Sequence, residues 1–79
     1  MMKLSRHAKN NMKLYKIAEQ DIIKTIEFPE STDREGDKLI AIKKLLKKFS
    51  DYPLKVVYEK TRGEIRIITA YPLKKKHWR

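Results

Sequence analysis

No cysteine occurs in the 79 residues, which excludes a disulfide scaffold and any thiolate metal site. With only two glycines and three prolines, the chain has neither a Gly-rich phosphate loop nor a flexible linker. No stretch approaches the roughly 18 consecutive apolar residues of a membrane span. The opening Met1-Met2-Lys3-Leu4 leads straight into polar sequence, with no apolar run for a signal peptide, so the expected setting is the cytoplasm, away from membranes. The two histidines, His7 and His77, are 70 residues apart and join no cluster with metal-ligand spacing, so neither a metal nor a cofactor is expected. Ser5, Ser31 and Ser50 lie in no nucleophile motif. Conventional metallo- and serine-hydrolase chemistry therefore drops out.

What is abundant is positive charge. Twenty Lys and Arg stand against ten Asp and Glu, for a net charge of +10. Residues 1–37 hold seven of each sign, whereas residues 38–79 hold thirteen basic and three acidic side chains. An imbalance this large opposes compaction through self-repulsion, and it suits a polyanionic partner: nucleic acid first, an acidic protein second. The bland alternative is a solubilising surface. At this length a single domain spanning 1–79 is expected, burying only roughly 60% of the surface its unfolded chain would expose.

The apolar residues are periodic. Leu4, Ala8, Met12 and Tyr15 fall on one stripe of a helix, with Ser5 placed to cap it. A second helix is expected over Ala18–Phe28, with Ile22, Ile23 and Ile26 on one side, Glu19 and Asp21 in its first turn and Pro29 closing it. Leu54–Tyr58 and Ile65–Tyr71 alternate as strands around Lys60-Thr61-Arg62-Gly63, a hairpin turn. Strict alternation puts Leu54, Val56, Tyr58, Ile65, Ile67 and Thr69 or Tyr71 on the core side. Lys55, Val57, Glu59, Arg66, Ile68 and Ala70 then form a mixed opposite face. Lys38–Phe49 reads two ways: a helix with a Leu39, Ile42, Leu46 and Phe49 stripe, or a strand. A strand over about Lys38–Leu45 is preferred because two strands alone are marginal. Asp33-Arg34-Glu35-Gly36-Asp37 then resembles the turn of a preceding hairpin.

His7-Ala8, the short acidic-start helix ending Glu27-Phe28-Pro29-Glu30, Leu54-Lys55-Val56-Val57-Tyr58 and Ile65-Arg66-Ile67-Ile68-Thr69-Ala70-Tyr71-Pro72 occur in that order. Over roughly residues 5–72 the chain thereby resembles a small domain-of-unknown-function family related to the BrnT and RelE toxins. It departs at Asn11 and Tyr15, where that family carries arginines after its His-Ala motif. The resemblance implies an α+β fold, with two N-terminal helices on a curved, mainly antiparallel, RelE-like sheet of three to four strands. It also implies a toxin of a toxin–antitoxin pair: a metal-free endoribonuclease acting on mRNA, often on the ribosome, until an acidic antitoxin covers the sheet. The alternative on the same scaffold is a non-catalytic module binding nucleic acid or a partner protein.

Metal-free RNA cleavage requires a proton acceptor, a proton donor and cations on the crowded phosphate. On this chain His7, Arg66 and Tyr71 are the catalytic candidates. His7 would transfer a proton, or simply bond to a neighbouring strand. Arg66 would hold phosphate, or stand as a solvated strand charge. Tyr71 would stack on a base, or pack at the core rim. Glu59 is a possible base or the cross-strand salt partner of Arg66. The nucleic-acid-binding candidates are Arg6, Lys43, Lys44 and Lys55 together with the tail. There Lys74, Lys75, Lys76, His77, Trp78 and Arg79 combine cations with a ring for stacking, and frayed solvated sequence is the alternative reading.

Overall fold

The computed structural model describes residues 2–45, 48–49 and 52–73. Strand β1 (Met2–Leu4) leads into helix α1 (Arg6–Tyr15), followed by α2 (Glu19–Glu27), β2 (Ser31–Glu35), β3 (Lys38–Lys43), β4 (Leu54–Thr61) and β5 (Glu64–Pro72). The strands form one sheet in the order β1-β5-β4-β3-β2. β2 to β5 run antiparallel in sequence, while β1 adds to β5 in parallel. The expectation of three to four strands is thus corrected to a five-stranded mixed sheet. Two strands account for the difference. β1 has three residues and shows no period, and β2 reads Ser-Thr-Asp-Arg-Glu, an all-polar edge whose charges discourage further pairing.

Local chemistry sets the element ends. The Ser5 hydroxyl accepts the Ala8 N–H, capping α1 and ending β1 at Leu4. Lys16 turns left-handed (φ 55°) to close that helix. The Asp21 carboxylate accepts the Ala18 N–H as half of a capping box for α2. In the β4–β5 turn both central residues have positive φ, Arg62 at 48° and Gly63 at 78°, as a two-residue type I′ turn requires.

Both helices pack on the same side of the sheet. Ala8, Ile17, Ile22, Leu54, Val56, Ile67 and Ala70 form one buried cluster, edged by Met2, Leu4, Met12, Tyr15, Ile26 and Tyr58. On α2 the buried positions are Asp21, Ile22 and Thr25, whereas Ile23 is 40% exposed. The expected Ile22, Ile23 and Ile26 stripe is therefore rotated by part of a turn. Thr25 fits the core because its hydroxyl donates to the Asp21 carbonyl at 2.8 Å, satisfying a group that would otherwise be costly to bury.

A second correction concerns β5. Val57 pairs with Thr69 and Tyr58 with Ile67, leaving Ile68 as an extra residue. A bulge of this kind resets the alternation. Ile65 and Ile67 face the helices, and beyond the bulge it is Ala70 and Pro72 that do so. Ala70 is fully buried and pairs with Val56. Thr69 and Tyr71, one or the other of them expected on the core side, both belong to the opposite face, and Ala70 takes the core position. Among the described residues no helix is long and apolar enough to cross a membrane.

Candidate nucleic-acid interface

The face away from the helices is assembled from the register. One row across it reads Asp33, Ile40, Val57, Thr69, and the next Ser31, Ile42, Lys55, Tyr71. Towards the hairpin turn a third row holds Glu59, Arg66 and Lys3. Ile40 is buried between its cross-strand neighbours, while Ile42, Val57, Lys55 and Tyr71 are half-buried. No described element packs over them. The Lys55 ammonium lies 5.6 Å from the centre of the Tyr71 ring, within cation–π range. The face thus has an apolar centre, an aromatic ring with a cation against it, and further cations at its rim.

Near the hairpin end, Lys3, Ser5, Glu59, Thr61, Glu64 and Arg66 line a shallow pocket of about 410 Å³. Lys3 pairs with Glu64 at 3.5 Å. Glu59 and Arg66 are opposite each other in the ladder, yet they form no ion pair among the described residues. The expected Glu59–Arg66 salt bridge is replaced by the Lys3–Glu64 contact, which leaves both groups available to a ligand.

The candidate residues do not converge on one point. Arg66 and Tyr71 share the open face but are five residues apart on β5, roughly 15 Å at about 3.3 Å per residue. Arg6 and His7 are exposed in the first turn of α1, and neither makes a hydrogen bond or ion pair among the described residues. The bond to the neighbouring strand envisaged for His7 is made instead by Ser5, whose hydroxyl donates to the Ile68 carbonyl at 2.6 Å. Asn11, where the resembled family carries arginine, has a structural task. Its amide donates to the Thr69 hydroxyl and the Ala70 carbonyl, both at 3.2 Å, and so satisfies the edge of β5 beyond the end of β1. Lys43 and Lys44 are separate from Lys55: they line a cleft on the helix side with Lys24 and Lys48. Lys24 and Lys48 are not among the sequence-based candidates: one belongs to the electrically neutral half, and the other follows the β3 strand. The tail candidates, Lys74, Lys75, Lys76, His77, Trp78 and Arg79, lie outside the described residues.

The described residues include no group of three or more His, Asp or Glu able to hold a metal ion. The model of a family described as a domain of unknown function, DUF4258, matches residues 4–72. No curated protein and no solved structure matches the chain.

Proposed function

The chain belongs to DUF4258, a family whose description specifies no activity, and from the surface of this member we propose a protein that binds single-stranded RNA on its open sheet face. The observation that carries the reading is the Lys55–Tyr71 pair, 5.6 Å apart, on a face whose apolar centre no described element covers, in a chain with net charge +10. A sheet offering a ring to stack on, beside cations for phosphates, suits unpaired bases with splayed edges. Duplex RNA hides those base faces and would use the charges alone. Fluorescence anisotropy with a labelled oligoribonucleotide tests this. Binding that weakens with Tyr71→Ala, and with duplex in place of single strand, supports the reading; equal affinity for both strands and both proteins contradicts it.

A second reading, metal-free RNA cleavage by a BrnT- or RelE-related toxin, is favoured by Glu59 and Arg66, without an ion-pair partner among the described residues, sharing a pocket with Lys3. Here the Glu59 carboxylate would take the proton of a ribose 2′-OH as its oxygen attacks the adjacent phosphorus. Arg66 and Lys3 would stabilise the charge gained there, and the departing 5′-oxygen would take its proton from His7 or water. The setting is then the cytoplasm, the substrate mRNA, and the natural inhibitor an acidic protein covering the same face. Arg66→Ala should lower a metal-independent cleavage rate on the order of 10²-fold while affinity falls modestly. If purified protein cleaves no RNA, with or without ribosomes, the binding function stands alone.

A further inference from the structure

The cleft on the helix side is a different site from the open face, and its charge inventory points to its occupant. Lys24 comes from α2, Lys43 and Lys44 from the end of β3, and Lys48 from the segment after it. Asp21 and Glu30 complete the charged lining of a space of about 530 Å³. Four ammonium groups against two carboxylates leave a surplus of +2 in one concavity.

The two carboxylates are already engaged. Asp21 is 4% exposed; one of its oxygens accepts the Ala18 N–H, and both accept the Lys48 ammonium, at 2.9 and 3.0 Å. Glu30 accepts the Lys44 backbone N–H at 3.0 Å. Lys48 is therefore held at the wall while its side chain remains 46% exposed, a donor fixed in place with protons to spare. Lys24, Lys43 and Lys44 have no ion-pair partner among the described residues. Like charges gathered in a concavity repel one another, and an anion of charge −2 entering between them removes that repulsion.

We propose that this cleft binds a phosphomonoester dianion, the terminal phosphate of a nucleotide or of an RNA 5′ end. A phosphate monoester has a charge of about −2 once its second proton leaves near pH 6, and offers three acceptor oxygens. Lysine ammoniums suit it as mobile point-charge donors. An internal phosphodiester carries a single negative charge and matches the surplus less well. The site does not depend on RNA binding to the open face, because Lys55 and Tyr71 lie on the other side of the sheet.

The test uses the full chain with four probes: uridine 5′-monophosphate against uridine, and one oligoribonucleotide with a 5′-phosphate against the same with a 5′-hydroxyl. Calorimetry should show saturable binding of the monophosphate and none of the nucleoside. The Lys43→Gln/Lys44→Gln double variant should weaken monophosphate binding at least tenfold, whereas Lys13→Gln, on exposed α1 surface, should leave it unchanged. Between pH 7.5 and pH 5 the affinity should fall roughly tenfold as the phosphate takes up its second proton. A preference of the 5′-phosphorylated RNA over its 5′-hydroxyl form, lost in the double variant, identifies an RNA end as the source; monophosphate binding with no such preference identifies a free nucleotide. Equal response to uridine and its monophosphate, or a double variant no weaker than Lys13→Gln, overturns the proposal. Loss of hydroxyl-ended RNA binding with retained monophosphate binding would defeat the open-face reading and leave the cleft intact.

Discussion

The two faces of the sheet are built from the same strands and have opposite fates. Along β4, Leu54 and Val56 are fully buried, while their immediate neighbours Lys55 and Val57 are half-exposed. Helices of ten and nine residues are only about 15 Å long, enough to cover one face of a five-stranded sheet and no more. Among the described residues no element closes the second side, and that side retains apolar residues that a purely solvating surface would not need. The difference teaches where to look: the buried cluster that holds the fold lies on the helix-covered face, and the proposed RNA contact lies on the other.

The largest effect that would sharpen this contrast is on stability. Ile67→Ala or Leu54→Ala, both at fully buried positions, should cost about 2–5 kcal/mol, a large part of what a small domain possesses. Ile42→Ala on the open face should cost about 1 kcal/mol, because that side chain is only partly buried. Denaturant titrations compare them, and equal losses would mean that the open face is covered as well.

Next comes binding. Tyr71→Ala should weaken single-stranded RNA by about 1–3 kcal/mol, the range for one stacked base, without altering the melting temperature much. If some six phosphates are neutralised, log affinity should fall against log salt with a slope of roughly −4. A salt-independent affinity would break the polyanion reading.

The period that made the covered face legible in the sequence also misled at one point. Leu54, Val56, Ile65 and Ile67 could be read as core because burial on one face forces alternation. The bulge at Ile68 leaves no comparable mark: Ile67-Ile68 is a doublet of equal hydrophobicity, and nothing local says that both belong before the count restarts. Strict alternation therefore leaves Thr69 or Tyr71 on the core side, and nothing in it signals the partnership of Tyr71 with Lys55. The helices were legible from their apolar periodicity, from Ser5 as a cap and from Glu19 and Asp21 in the first turn of α2, whereas the capping role of Asp21 emerged only in the structure. β1 was not, since three residues cannot show a period and its pairing with β5 joins residues 63 positions apart. The Lys24–Lys43–Lys44–Lys48 cleft exists only once α2 is docked beside the end of β3.

Smaller effects probe the seams between the faces. Asn11→Ala removes two hydrogen bonds from the β5 edge and should cost about 1 kcal/mol; a neutral result would mean that water satisfies that edge equally well. Arg62→Asn should stabilise by about 0.5 kcal/mol, because Asn tolerates the left-handed conformation that Arg62 adopts at φ 48° and Asn-Gly favours a type I′ turn. A thermal melt reads both.

The most direct test of the two-face account follows side-chain methyl resonances during titration with a single-stranded oligoribonucleotide. Ile40, Ile42 and Val57 report from the open face, and Ile22, Val56 and Ile67 from the covered one. The account predicts that the first group shifts progressively and saturably while the second stays in place. Shifts confined to the second group, or none in either, would contradict it.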